Sequence, residues 1–310
     1  MLLILLCLFA CSTRTEEYSL SKVKVPSLII LGTVQDGGSP HIACKKECCK
    51  NLFLHPDKNR KVVSLGIVDP DNNKSYLFEA TPDITTQMKM LSTVSGSGSE
   101  TPDGIFLTHA HIGHYTGLMY LGKEAMNSNR LPVFAMPKMK AFLENNGPWS
   151  QLVTNKNIAI RELADQRPVK LNSNFTVIPF LVPHRDEFSE TVGYKIIGPN
   201  KSAIFIPDID KWQKWDQDIV IVISNSDYAF IDASFYDSYE INNRDISEIP
   251  HPFIIESMSL FADLSPEEKD KIYFIHLNHT NPALNPESEQ TKEILEKGFH
   301  LAKMGEVFDL

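Results

Sequence analysis

The chain has 310 residues, 42% hydrophobic and 22% charged, with 15 Gly and 19 Pro. These are the proportions of a globular protein, not of a disordered chain, a collagen-like repeat or a polytopic membrane protein, and a chain this long buries roughly 75% of its unfolded surface without needing disulfides. Thirty Lys and Arg against 39 Asp and Glu leave a net charge of −9; this argues against a sequence-blind nucleic-acid binder, which needs cationic surface, but not against a small anionic substrate held by a metal.

The chain opens on MLLILLCLFA (1–10), followed by the polar run STRTEEYSLSK. Ten apolar residues span about 15 Å as a helix, too short for a hydrocarbon core of about 30 Å, so a signal-peptide core is expected. Leu8-Phe9-Ala10-Cys11 resembles a bacterial lipobox, in which the Cys is lipidated, although no Lys or Arg precedes the apolar run. The alternatives are an uncleaved anchor or a misassigned start. On the first reading residues 1–24 are a lipoprotein signal and tether, and the protein is exported and lipid-anchored to a membrane of the bacterial cell envelope. The folded domain then covers residues 25–310.

Short β-branched runs predict strands at Ser27–Leu31, Val62–Val68, Ser75–Phe78, Gly104–Leu107, Leu131–Ala135 and Asn157–Ile160. The second half predicts them at Phe175–Phe180, Val192–Ile197, Ser202–Ile206, Ile219–Ile223, Tyr228–Ile231 and Ile272–Leu277. Helical periodicity appears in Ile84–Leu91, Thr116–Met126, Pro137–Asn145 and Pro286–Lys303, and Thr93–Thr101 reads as a loop. The two halves look alike in layout though not in sequence. Two mostly antiparallel or mixed sheets with helices outside satisfy this α/β pattern.

Of the five cysteines, Cys7 and Cys11 fall in the N-terminal segment, leaving Cys44, Cys48 and Cys49 in HIACKKECC. Three is an odd number and adjacent cysteines rarely bridge, so a metal site explains them better than a disulfide framework. A second cluster is Thr108-His109-Ala110-His111-Ile112-Gly113-His114, directly after the strand Gly104–Leu107. Three imidazoles in six residues at a strand end suit a zinc site, because a loop lets neighbouring side chains converge. His184 in LVPHRDEF, Asp208 in IFIPDID and His276 in YFIHLNH each stand where another apolar strand meets a loop. One such residue alone would more often be a core or rim residue; a series of four such places points to metal. Gly37-Gly38 lacks the Gly-Lys-Ser/Thr of a phosphate loop and reads as a turn. Trp212 and Trp215, three apart, read as packing residues on a helix face.

In number and order these residues resemble the metallo-β-lactamase superfamily, whose signature is His-x-His-x-Asp-His, then His, Asp and His. Here it reads His109, His111, Gly113, His114, His184, Asp208 and His276, with Gly113 where the Asp belongs. The resemblance covers roughly residues 27–310 and implies an αββα sandwich, two mixed sheets flanked by helices. LGTVQDGGSPHIACKKECC, EATPDITTQM (79–88), IDASFYDSYE (231–240), IPHPFI (249–254) and HLNHTNP (276–282) resemble one branch. That branch holds pyrroloquinoline quinone biosynthesis protein B and the cyclic-phosphate phosphodiesterases of phosphonate metabolism. The biosynthesis protein typically loses the first two His of the motif and keeps its Asp-His; this chain does the reverse.

The resemblance implies one metal on His109, His111 and His184, and a second on His114, His276 and a bridging Asp208. Zinc in such a site lowers the pKa of water from about 16 to about 7, supplying hydroxide for attack on an ester. Gly113 offers nothing to the second metal, which should then bind weakly or be absent unless Asp210 or Asp186, near ligands in sequence, compensates. A structural zinc on Cys44, Cys48, Cys49 and His279 is implied as well, with one ligand either replaced by His41 or missing because the Cys-x3-Cys-Cys spacing departs from the family's; buried free thiols are the alternative. His251 aligns with the proton donor to the leaving group, or is a surface His before Pro252. Asp83 aligns with an orienting residue, or caps the helix from Ile84. A zinc hydrolase of a small ester, a phosphodiester above all, is expected, with Asp208 and His251 carrying the chemistry. Iron or manganese are the alternative metals; a lipid-anchored non-hydrolytic metalloprotein, with iron in an oxidative step of quinone-cofactor biosynthesis, is the competing reading, and an inactive scaffold is a third.

Overall fold

In the computed structural model the described residues are 21–242 and 244–310. The proposed signal, Cys11 and most of the tether lie outside them. Among the described residues no helix is long and apolar enough to cross a membrane.

Strands β1 (Ser27–Gly32), β2 (Ser64–Asp69), β3 (Lys74–Phe78), β4 (Gly104–Phe106), β5 (Leu131–Ala135) and β6 (Ile158–Glu162) belong to one sheet. Strands β7 (Val169–Lys170), β8 (Thr176–Leu181), β9 (Val192–Ile197), β10 (Ser202–Ile206), β11 (Tyr228–Asp232), β12 (Ile272–Ile275) and β13 (His300–Leu301) form the other, and β14 (Val307–Asp309) returns to the first. The orders are β14-β1-β2-β3-β4-β5-β6 and β13-β12-β11-β10-β9-β8-β7. Each sheet joins an antiparallel half to a parallel half. The likeness of the two halves in sequence layout is therefore a likeness of topology.

The helices are α1 (Glu47–Lys50), α2 (Ile84–Ser95), α3 (Ile112–Tyr115), α4 (Pro137–Asn145), α5 (Trp149–Thr154), α6 (Ile219–Ser224), α7 (Ile254–Leu260), α8 (Pro266–Lys269) and α9 (Glu289–Glu296). Successive strand residues face opposite ways, and each face is buried. Leu28, Ile30, Phe78, Phe106, Tyr194, Phe205 and Phe230 fill the space between the sheets. Ile29, Leu77, Ile105 and Val133 pack outward with Leu91, Met139, Leu143 and Leu152. On the far side Ile204, Ile206 and Ile231 pack with Ile219, Ile223, Ile254 and Ile294. The result is the four-layer αββα sandwich, with central strands such as β1, β4, β10 and β12 almost wholly apolar because both faces are covered.

Three elements differ from the reading of the sequence. Ile219–Ile223 is not a strand but the body of α6. The Asp218 carboxylate accepts the Val220 N–H at 2.8 Å, and Ile219 and Ile223, four apart, are buried while Ile221 is exposed; cap and helical burial override β propensity. Pro286–Lys303 is not one helix: α9 ends at Glu296, Gly298 takes φ +86°, and His300–Leu301 pairs with β12. Glycine is the residue that adopts this left-handed turn without strain. Thr116–Met126 is shorter than expected, a 3₁₀ turn over Thr116–Leu121.

Candidate metal centre

Strands β3, β4, β8, β10, β11 and β12 deliver their carboxyl ends to one place, where the two sheets meet, the usual position of a site in such sheets. Val34 bridges both Val62 and Leu277, the Gln35 N–H donates to Leu277 O at 2.9 Å, and Leu277 N–H donates to Thr33 O at 2.8 Å. The segment after β1 is thereby fastened beside His276. Helix α3 is held against the segment after β3 by Ala80 N–H to His114 O at 2.9 Å and Gly117 N–H to Ala80 O at 2.8 Å. A Cβ on Gly117 would lie 2.1 Å from Thr81 O, so glycine is needed for this approach.

Asp208, buried after β10, is the centre of the cluster. Its Oδ2 lies 3.3 Å from His109 Nε2 and 3.8 Å from His114 Nε2, and its Oδ1 lies 3.3 Å from His184 Nε2. Donor atoms of His109, His111, His184 and Asp208 fall within 4.8 Å of one another, and so do those of Asp36, His114, Asp208 and His276. Asp208 belongs to both sets. Burial alone would raise its carboxyl, but His184, His251 and His276 hold it well below the usual carboxylate range. His109, fully buried, is pushed down by burial and by His114.

The residues around these donors fix their orientation. Thr108 Oγ1 lies 2.9 Å from His109 Nδ1, Asp210 Oδ1 3.4 Å from His184 Nδ1, Glu79 Oε1 3.3 Å from His114 Nδ1, and Ser234 Oγ 2.9 Å from His276 Nδ1. Each imidazole thus has one nitrogen held from behind and the other turned to the cluster. Glu79 and His276 both have positive φ, +75° and +67°, the kind of backbone strain that gathers at functional sites. His184 Nε2 and Asp208 Oδ1, both turned to the cluster, lack a hydrogen-bond partner among the described residues although buried. Unsatisfied buried imidazole and carboxylate atoms converging on one spot are what a cation would satisfy; the donor set fits a metal.

His251, read from sequence either as a proton donor or as a surface His, is only 6% exposed. Its Nδ1 lies 2.9 Å from Asp232 Oδ2 and 3.2 Å from Asp208 Oδ1. Burial opposes its protonation, but Asp232 and Asp208 raise it to about 10. Asp232 also receives the Ile209 N–H at 3.1 Å and the Ser234 N–H at 2.9 Å, so its carboxylate is engaged in fixing this corner.

Four expectations need correction. Asp210 sits behind His184, and Asp186 is exposed with Lys138 Nζ 3.7 Å away, so neither stands in for the Asp missing at Gly113; Asp36 lies there instead. Asp83 makes no side-chain cap to α2, and its carboxylate accepts the Val62 N–H at 2.9 Å and pairs with Lys61. It therefore ties α2 to the start of β2 and touches no imidazole of the cluster. The fourth is His41, whose ring stacks on His279 at 4.3 Å and is not one of the cysteine cluster's four donors. Asp36, Glu79, Asp232 and Ser234 were missed. Asp36, Glu79 and Asp232 were signalled only as acidic residues just after or at the end of strands whose neighbours carry the histidines.

Cys44, Cys48, Cys49 and His279 bring their donors within 4.8 Å of each other. The Lys46 backbone N–H draws the Cys44 thiol down, while burial and Cys49 push Cys48 up to about 12. His279 is lowered to about 4 by burial, His41 and Lys46. Three sulfurs and an imidazole in one tetrahedral reach are a closed, structural type of set.

An αββα sandwich with clustered imidazole and carboxylate donors at its strand ends defines a class of metal-binding proteins. The family model described as "Beta-lactamase superfamily domain" matches residues 74–277, and the chain belongs to that family. Among curated proteins it is similar to coenzyme PQQ synthesis protein B of Methylorubrum extorquens, 22% identical over 311 residues, covering 91% of this chain and 99% of that protein. Among solved structures it resembles zinc-bound PqqB from Methylobacterium extorquens, with a TM-score of 0.75 at 22% identity over 92% of this chain and 100% of that one. A diphosphatase from the PhnP family follows at TM-score 0.65 and 22% identity, over 92% and 97% of the two chains.

Proposed function

We propose that the protein is a metal-dependent hydrolase acting on a small ester, with a phosphodiester as the favoured substrate class and zinc as the metal. The observation that carries this reading is Asp208, one carboxylate shared by two donor sets, with a buried His–Asp pair beside it. His109, His111 and His184 would hold one ion with Asp208. When bound, the metal supplies Lewis acidity and makes water a nucleophile at neutral pH. The chain does the rest. Thr108 and Asp210 orient the imidazoles, and Asp208 fixes the spacing of the two donor sets. His251, its Nδ1 engaged by Asp232, keeps Nε2 as the atom that can hand a proton to a leaving oxygen. Lys138 and Lys214 line the cleft beside His184, where they pair with Asp186 and Asp210. A structural ion on Cys44, Cys48, Cys49 and His279 completes the complement.

The same reading keeps residues 1–24 as signal and tether, with Cys11 lipidated and the protein on the bacterial cell envelope, supported by the lipobox-like LFAC and the short apolar run.

The test is hydrolysis of bis(4-nitrophenyl) phosphate by zinc-loaded protein. Chelation and His184→Ala are expected to abolish turnover, and His251→Ala to lower kcat by about 10²–10⁴-fold, the usual range for a positioned acid. Turnover untouched by both variants would contradict the assignment. Similarity over nearly the full length of a coenzyme PQQ synthesis protein supports a second reading, a non-hydrolytic step in cofactor biosynthesis. Iron in the purified protein with no esterase activity would favour that one.

A further inference from the structure

Gly113 lies inside α3, one residue before His114, and it is buried. A Cβ built on it would stand 2.5 Å from the Asp36 Cα and 2.8 Å from both its Cβ and Cγ. The side chain of Asp36 therefore occupies the space that a side chain at position 113 would need. Its carboxylate is also where a donor from that position would act: Oδ1 lies 2.8 Å from His114 Nε2 and 3.1 Å from His276 Nε2.

We propose that Asp36 has taken over the carboxylate function lost at Gly113, so that Asp36, His114, Asp208 and His276 form a complete second metal site. The exchange is reciprocal. Asp36 can reach the site only because residue 113 has no Cβ, and Gly113 is tolerated only because the donor arrives from the loop after β1, fastened 77 residues earlier in the chain by Val34 and Gln35. A carboxylate and two imidazoles around a shared Asp208 suit a borderline divalent ion such as zinc. This inference rests on the metal-centre reading given above.

The experiment counts zinc per chain by elemental analysis, and measures zinc affinity calorimetrically, on the full chain. Four proteins are compared: wild type, Asp36→Asn, the exchange Asp36→Gly with Gly113→Asp, and His109→Ala/His111→Ala. Asp36→Asn preserves shape, so loss of folding does not obscure the answer. The expected result is one zinc fewer in Asp36→Asn, with that site weakened by more than the 10–100-fold typical of losing a supporting partner, and recovery of the lost zinc in the exchange. A dinuclear centre that persists in Asp36→Asn would leave Asp36 a salt-bridge partner of His114 and overturn the inference alone. A wild type that takes a single zinc in the histidine cluster would also overturn it. A count in wild type no higher than in His109→Ala/His111→Ala would overturn the metal-centre reading together with it.

Discussion

At the residue scale the account turns on what stands behind each donor. Asp232 has no place in either of the two metal sets as proposed, yet it is fully buried, accepts two backbone N–H groups and lies against His251 Nδ1. It is a positioning residue, holding His251 in one tautomer and favouring its protonated form. Because Asp232 raises the His251 pKa, an acid role for His251 is retained further into alkaline pH than it would otherwise be. Asp232→Asn is expected to lower kcat by about 10–100-fold and to move the alkaline fall in activity to lower pH with the metal content kept; a pH–rate profile that does not move would count against the role. The metal-site histidines were legible in the sequence because His109, His184 and His276 each stand where an apolar strand meets a loop. Asp36 was not, because its relation to Gly113 is a matter of space between two segments far apart in the chain, and a glycine in a motif records only a loss.

Elements fix where those residues arrive. Strands were readable as apolar runs, since burial on both faces removes the polar alternation but leaves β-branched density. The same density misled at Ile219–Ile223, where the cap from Asp218 and two buried positions four apart make a helix. The short β7, β13 and β14 carry too few residues for a pattern and exist through their neighbours' open edges. The 3₁₀ turn at Ser238–Ile241 joins two site loops: Glu240 accepts from the Tyr236 N–H and, at 2.8 Å, from the Thr280 hydroxyl. Burial raises this carboxyl from 4.5 to about 7. Between those values the folded chain holds a proton the unfolded chain has lost, so stability falls as pH rises through that window. Glu240→Gln should flatten this slope in denaturant titrations at pH 5, 6 and 7; a slope of unchanged size would assign the loss to other groups.

On the scale of the whole molecule, two sheets of like topology are placed so that donors from both meet. The first supplies Asp36 and the His109–His114 loop, the second His184, Asp208, Asp232 and His276. Each of the two proposed metal sets draws donors from both halves, and Asp208 belongs to both sets. Fold and metal-bearing segments could be read from sequence order because they rest on local runs and motif spacing. The pairing of the halves could not, since it depends on contacts such as Val34 with Leu277 that no local pattern records.

The most direct measurement is a crystal of the zinc-loaded full chain, with anomalous scattering recorded at the zinc edge. The account predicts a peak among His109, His111, His184 and Asp208, a second among Asp36, His114, Asp208 and His276, and a third among Cys44, Cys48, Cys49 and His279. A single peak at the cysteine cluster, with the imidazoles empty at saturating zinc, would contradict it.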